Sequence, residues 1–307
     1  MTWRSTAAIV LTAIGASAWN PALAQTLYAA SVRSLASTGA EGLAGALYTV
    51  NLGTGSATFV APIKLNGSLP IGVTGMAAQP SSGVFFGITS PLASDLPQSL
   101  VTIDPTTGKA TLVGALKFAG SDISFNRGGI LYTWLPATSQ LGIVNTETGA
   151  VTPIGIAGPP SSPAGLAIDA GGIAYITPKG AAGSLDTVDI ATGTLRIGPP
   201  LTGAPFPSVI NSMTFTPSGL LLAVNSNAGA PAHTRLVTIN TATGVVSNIG
   251  TLPDDTDALT FATGPTRGQP GTGYSGQSIA LMALAVVALL LGLIGWAVGR
   301  RPKPPVH

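Results

Sequence analysis

One phrase recurs five times along the chain and restricts the fold more than anything else in it. It reads "LYTVNLGTGSATFVAPI" (47–63), "LVTIDPTTGKATLVGAL" (100–116), "LGIVNTETGAVTPIGIA" (141–157), "LDTVDIATGTLRIGPPL" (185–201) and "LVTINTATGVVSNIGTL" (236–252). The five align without a gap. The fifth position is always Asn or Asp (Asn51, Asp104, Asn145, Asp189, Asn240), and the eighth and ninth are Thr-Gly, ending at Gly55, Gly108, Gly149, Gly193 and Gly244. Apolar residues alternate on both sides, so each phrase predicts a strand, a turn and a second strand. The turn residues have local work to do. Asn or Asp accepts hydrogen bonds from backbone two residues on, Pro105 presets φ, and Gly takes the left-handed conformation that closes the hairpin. The phrase is therefore a hairpin signature and not a reactive or metal-binding motif.

A second element precedes four of these hairpins: "GMAAQPSSGVFFGIT" (75–89), "DISFNRGGILYTWL" (122–135), "GLAIDAGGIAYITP" (165–178) and "SMTFTPSGLLLAVN" (212–225). Each reads strand, Gly turn, strand, so every unit has four strands in up-and-down order. Such units, 41 to 53 residues apart, are propeller blades. No 3.6-residue stripe supports a helical solenoid. The first hairpin lacks an inner strand, whereas "DALTFATG" (257–264) follows the last hairpin without a blade of its own. "QTLYAASV" (25–32) supplies a second strand beside it. The expectation is all-β: a five-bladed propeller over 25–263, its ring closed by the two chain ends so that no sheet edge is left open there.

The ends of the chain differ from this body. Residues 1–24 have a short basic start, an uncharged apolar stretch and Ala22 and Ala24 before Gln25, the pattern of a secretory signal peptide cut after Ala24. Residues 279–298, "IALMALAVVALLLGLIGWAV", carry no charge and as a helix reach about 30 Å, enough to cross a bilayer. Arg300, Arg301 and Lys303 follow, which keeps the basic tail 299–307 in the cytoplasm. Residues 264–278 read as a Gly/Pro-rich linker. The expected location is the cytoplasmic (inner) membrane with the propeller outside the cytoplasm, or the cell surface if the tail is processed. Cys is absent, which removes thiol chemistry and leaves the exported part dependent on its apolar core. Between residues 25 and 278 there are nine Lys/Arg and eleven Asp/Glu, so the basic pI belongs to the ends and no nucleic-acid partner is expected.

The recurring "LY.ID..TG..T.IG" phrasing resembles bacterial secreted proteins with YVTN- or quinoprotein-like propellers of uncharacterised function. That resemblance covers 25–264 and implies the fold, not an activity. The tail resembles the C-terminal sorting tails of bacterial envelope proteins, an apolar span followed by Arg-Arg, although no Pro-Glu-Pro or Ile-Pro-Thr-Leu motif precedes it.

In a propeller of this topology, function is sought on the face built from blade crossings (64–74, 117–121, 157–164, 202–211, 253–257) and from loops joining second and third strands (33–46, 90–99, 136–140, 179–184, 226–235). Glycosidase chemistry needs paired carboxylates. Asp104, Glu147, Asp189 and Asp169 fall in turns on the other side, leaving Asp122 and Asp257 next to inner strands at the channel mouth. Asp254, Asp255 and Asp257 in "PDDTDA" are the weak candidates for a hard cation such as Ca²⁺; otherwise no cofactor is expected. His233 stands alone in its loop, which excludes a His-based triad or zinc site within one chain. Only Trp134, beside Tyr132, offers an exported indole for a quinone. The expectation is a membrane-anchored extracytoplasmic module that binds a protein or glycan, with an envelope glycoside hydrolase or lyase using Asp122 and Asp257 as the alternative.

Overall fold

The structure is a computed structural model describing residues 26–32, 45–91 and 96–262. The expected signal peptide, linker, membrane span and tail lie outside the described residues.

In chain order the strands are β1 (Leu27–Ser31), β2 (Ala46–Val50) and β3 (Ala57–Pro62), then the two-residue strands β4 (Lys64–Leu65) and β5 (Leu69–Pro70). Blade 1 follows as β6 (Val73–Ala78), β7 (Phe85–Thr89), β8 (Ser99–Ile103) and β9 (Lys109–Ala115). Blade 2 is β10 (Ile123–Phe125), β11 (Leu131–Leu135), β12 (Gln140–Val144) and β13 (Val151–Ile154). Blade 3 is β14 (Leu166–Ile168), β15 (Ala174–Ile176), β16 (Asp186–Val188) and β17 (Leu195–Arg196), and blade 4 is β18 (Val209–Phe215), β19 (Leu221–Ser226), β20 (Thr234–Ile239) and β21 (Val246–Leu252). The last strand, β22 (Thr256–Phe261), joins β1, β2 and β3 in the order β22-β1-β2-β3 and makes blade 5. Leu27 pairs with Phe261 and Ala29 with Leu259, so the ring of five closes by the stitch that the strand count predicts.

One feature of blade 1 departs from the expected pattern. The crossing 64–74 is not plain loop: β4 runs parallel to β9, Lys64 opposite Lys109, and with β5 extends the blade to six strands. These strands are too short to show any periodicity, yet they cover an outer edge that would otherwise present unpaired amides.

The core is divided among the junctions between blades. Trp134 and Leu141 of blade 2 pack with Leu166, Ile176 and Val188 of blade 3, and Met76, Phe85 and Val101 of blade 1 pack with Leu47 and Ala258 of blade 5. Because a blade has a neighbour on each face, its second strand is buried on both: "FFGIT" of β7 and "LYTWL" of β11 have no exposed residue. Outer strands such as β9 are largely open, with Ala110 the one buried residue between Lys109 and Ala115.

The Asn/Asp-x-x-Thr-Gly turns form as predicted. In each, one side-chain oxygen at the fifth position accepts the amides two and three residues on, as Asn145 Oδ1 does from Glu147 and Thr148 at 2.9 Å. The glycine amide bonds the carbonyl at the fifth position, and the glycine φ lies between 66° and 74°. Positive φ is only half the reason for glycine. Each turn rests on the outer strand of the preceding blade: a Cβ on Gly149 would lie 2.4 Å from the Gly114 carbonyl oxygen, and one on Gly114 would lie 2.1 Å from that of Thr148. Gly193 meets Ile154 and Gly155, Gly55 meets Gly250, Gly108 meets Pro62 and Gly244 meets Pro200 in the same way. Gly114, Gly155 and Gly250 are the glycines of the "T.IG" end of the phrase. Both ends of the repeat therefore encode one contact, made five times around the ring.

This contact separates two causes of destabilisation. Gly129 also has positive φ (81°) but nothing within 4 Å of its Cβ position, so Gly129→Ala should cost about 1 kcal/mol in urea unfolding. Gly114 has no conformational need for glycine, yet Gly114→Ala should cost at least about 2 kcal/mol, because backbone must move. Gly149→Val carries both penalties and should cost more than either. Equal losses for Gly114→Ala and Gly129→Ala would remove the inter-blade contact as the cause.

Candidate functional site

An inner strand has a second strand on one side only, so every other amide on it points toward the axis without a ladder partner. Here several of those amides are bonded by side chains, most of them from neighbouring blades. Ser124 Oγ of blade 2 accepts the Ile168 amide of blade 3 (3.1 Å), Ser212 Oγ of blade 4 accepts the Leu259 amide of blade 5 (3.1 Å), and Thr260 Oγ1 of blade 5 accepts the Ala78 amide of blade 1 (2.8 Å). Asp122 does most. Its Oδ2 accepts the amides of Leu166 at 2.9 Å and Met213 at 3.0 Å, and its Oδ1 accepts its neighbour Ile123 at 2.9 Å and the Ser212 hydroxyl at 3.2 Å. A side chain on blade 2 that bonds blades 3 and 4 has to cross the axis. Gly75 of blade 1 makes room for it, since a Cβ there would lie 2.8 Å from Asp122 Cα.

Asp122 is thus not at an open mouth. It is completely buried and fills the channel. Burial pushes its carboxyl well above the usual carboxylate range, opposed by the four donors. With both oxygens engaged and no solvent contact, it has no free lone pair to offer a substrate.

Asp257 sits one layer further toward the crossing face. Its Oδ2 accepts the Thr74 hydroxyl of blade 1 at 2.6 Å, and its carboxylate also accepts a hydrogen bond from the Asn211 side chain of blade 4. Thr74 precedes Gly75, and Asn211 precedes Ser212, so the Asp257 layer caps the Asp122 layer. Burial raises the Asp257 pKa to about 7, with the nearby Asp255 charge acting in the same direction. The two sequence candidates are therefore close along the axis but different in kind: one is sealed in, and the other is partly open.

The acidic loop does not converge. Asp254 pairs with His233 at 3.0 Å, Asp255 Oδ1 accepts the Ala232 amide at 2.8 Å, and Asp257 turns to Thr74. Among the described residues no group of three or more His, Cys, Asp or Glu is placed to hold a metal ion. Trp134 is buried between blades 2 and 3 and donates its indole N–H to Ser161 Oγ at 3.1 Å, away from the axis. Asp104, Glu147, Asp169 and Asp189 belong to turns, as read; Asp104 and Asp189 are held below the usual carboxylate range by the turn hydrogen bonds they accept. Sequence reasoning missed Thr74, Asn211, Ser212 and Asn225. Asn225, fully buried, pins the crossing before β18 by bonding Phe206 in both directions and donating to the Val209 carbonyl. The available signal was a polar side chain inside an otherwise apolar inner or second strand.

No protein-family model and no curated protein matches this sequence. Among solved structures, a chain from a nidogen/laminin complex aligns at 12% identity over 78% of this chain and 98% of that one, with a TM-score of 0.48. A protein of unknown function from Bacteroides caccae gives the same identity, score and coverage of this chain, with 99% of its own. Another from Bacteroides thetaiotaomicron VPI-5482 aligns at 14% identity over 58% of this chain and 50% of its own, with a TM-score of 0.43. The five-bladed ring stands on the strand pairings of this chain, independently of those likenesses.

The raised pKa of Asp257 gives stability a definite pH dependence. The folded state holds the proton up to about pH 7, whereas the unfolded chain releases it near pH 4. Protons bound in the native state then exceed those in the unfolded state between these values, so stability falls as pH rises from 4 to 7 and levels off above. Asp257→Asn keeps a neutral group at that position and should reduce the loss between pH 5 and pH 8 by roughly 1–2 kcal/mol, measured by urea unfolding. Parallel pH profiles for the two proteins would rule out Asp257 as the source.

Proposed function

We propose that the chain is a membrane-anchored, extracytoplasmic propeller that binds a partner through the face made of its crossings and its second-to-third-strand loops. The observation that carries this reading is a groove of about 790 Å³ at the junction of blades 2 and 3, formed in part by the crossing residues Pro159, Pro160 and Ser161 and by Lys179. Ile156 and Ile197 on its walls are 96% and 83% exposed, which is costly for a surface that stays in water and useful for one that is covered. Of the two partner classes, isoleucine and proline walls suit a protein segment better than a glycan, which is usually held on aromatic rings.

The contrast between uniform Thr-Gly turns at one end of the blades and irregular crossings and loops at the other supports the same reading, since irregular loops on a rigid frame are where binding residues concentrate.

The alternative, an envelope glycoside hydrolase or lyase, retains one favourable feature: a carboxyl with a pKa of about 7 is suited to donating a proton at neutral pH. Asp122 cannot serve as its companion, since both of its oxygens are committed.

Two measurements decide between them. In intact cells the full chain should fractionate with membranes and the propeller should be cut by added protease; recovery in the cytosol would contradict the topology. A photo-crosslinker at position 197 should capture an envelope protein, and Ile156→Asp with Ile197→Asp should lower that capture at least tenfold without changing the melting temperature. Turnover on a glycan panel that disappears in Asp257→Asn would instead establish the hydrolase.

A further inference from the structure

The channel does not end at Asp122. On the side away from Asp257 it widens into a cavity of about 150 Å³, lined by residues from all five inner strands and by Pro80 in the turn beyond β6. Met76, Ile123, Phe125, Met213, Phe215 and Phe261 are among the residues that line it, and none of the described lining residues is charged. We propose that this blind cavity is a binding site for a compact, uncharged, largely apolar molecule of benzene to indole size. The inference concerns the opposite end of the axis from the partner face and does not depend on the function proposed above.

Size, wall chemistry and rigidity each support that ligand class. Cavities of about 150 Å³ hold benzene in other proteins, and this one, open at one end, has that volume. Three phenyl rings on the lining, with the Met76 and Met213 side chains packed behind it, favour an aromatic guest over a purely aliphatic one. No cation stands among the described lining residues, so an anion would lose its hydration here without a charge to replace it. Ser124, Thr214 and Thr260 are also among the lining residues. Ser124 and Thr260 already accept the amides of Ile168 and Ala78, which uses a lone pair and leaves each hydroxyl proton for one acceptor on the guest. The walls are strands stitched to each other across the axis, so the space exists before binding and little ordering cost is added on binding.

Methionine reports on this site directly. The chain has four, Met1, Met76, Met213 and Met282, and two of them line the cavity. Purified full chain with ¹³C-methyl methionine is titrated with benzene, indole and benzoate. Benzene and indole should move the Met76 and Met213 methyl signals saturably, and benzoate should not. Thr214, partly exposed on the wall, allows the space to be filled: Thr214→Phe should weaken benzene binding at least tenfold. Absence of a saturable shift at Met76 and Met213 in the unaltered protein, benzoate binding as tightly as benzene, or undiminished binding in a folded Thr214→Phe would each overturn the proposal. If Thr214→Phe does not fold, the titration of the unaltered protein decides alone.

Discussion

Blades in this ring depend on how the amides along the axis are bonded. A four-stranded blade bonds its own interior but leaves its innermost edge open, and five such edges meet around an axis that is sealed from water at the level of Asp122. Asp122 resolves the largest part of this problem by accepting three backbone amides and a hydroxyl from three blades. Each buried amide left without a partner would cost about 1–3 kcal/mol, so a carboxylate here matters more for what its loss would orphan than for any single bond. Ser124, Ser212 and Thr260 extend the same solution around the ring. This explains how a residue that has the right type and place for catalysis can be unsuited to it.

A second ring of contacts lies at the periphery. There the phrase that repeats five times places a glycine turn against the outer strand of the blade before it, close enough that a methyl group at Gly114 or Gly149 would overlap backbone. Inner stitching sets the separation of blades at the axis, and glycine docking sets it at the rim. Between the two the apolar clusters are held at a fixed thickness. Two consequences follow for function: the cavity under Asp122 is preformed, and variation is left to the crossings and long loops, which neither ring constrains.

Much of this was legible in the residues. Blade number, ring closure and the pairing of Thr256–Phe261 with Leu27–Ser31 follow from counting strands, because every strand must find a neighbour and only one arrangement leaves none over. The turn chemistry was legible because Asn or Asp, Thr and Gly act within five residues of each other. Asp122 was visible as an acid beside an inner strand, but its partners Leu166 and Met213 are 44 and 91 residues away and bond through backbone, which has no sequence signature. Gly114, Gly155 and Gly250 were visible in the motif yet gave no hint of what they touch. The β4–β5 hairpin was hidden because two-residue strands show no alternation.

Amide hydrogen exchange tests the central claim most directly, since it reads the stitched amides without altering the protein. The account predicts that Ala78, Leu166, Ile168, Met213 and Leu259, whose amides lie outside the ladders and bond side chains, exchange only on global unfolding, as slowly as the interior of β19. Exchange at Leu166 and Met213 as fast as at the exposed turn glycine Gly128 would show that the Asp122 side chain does not hold the axis.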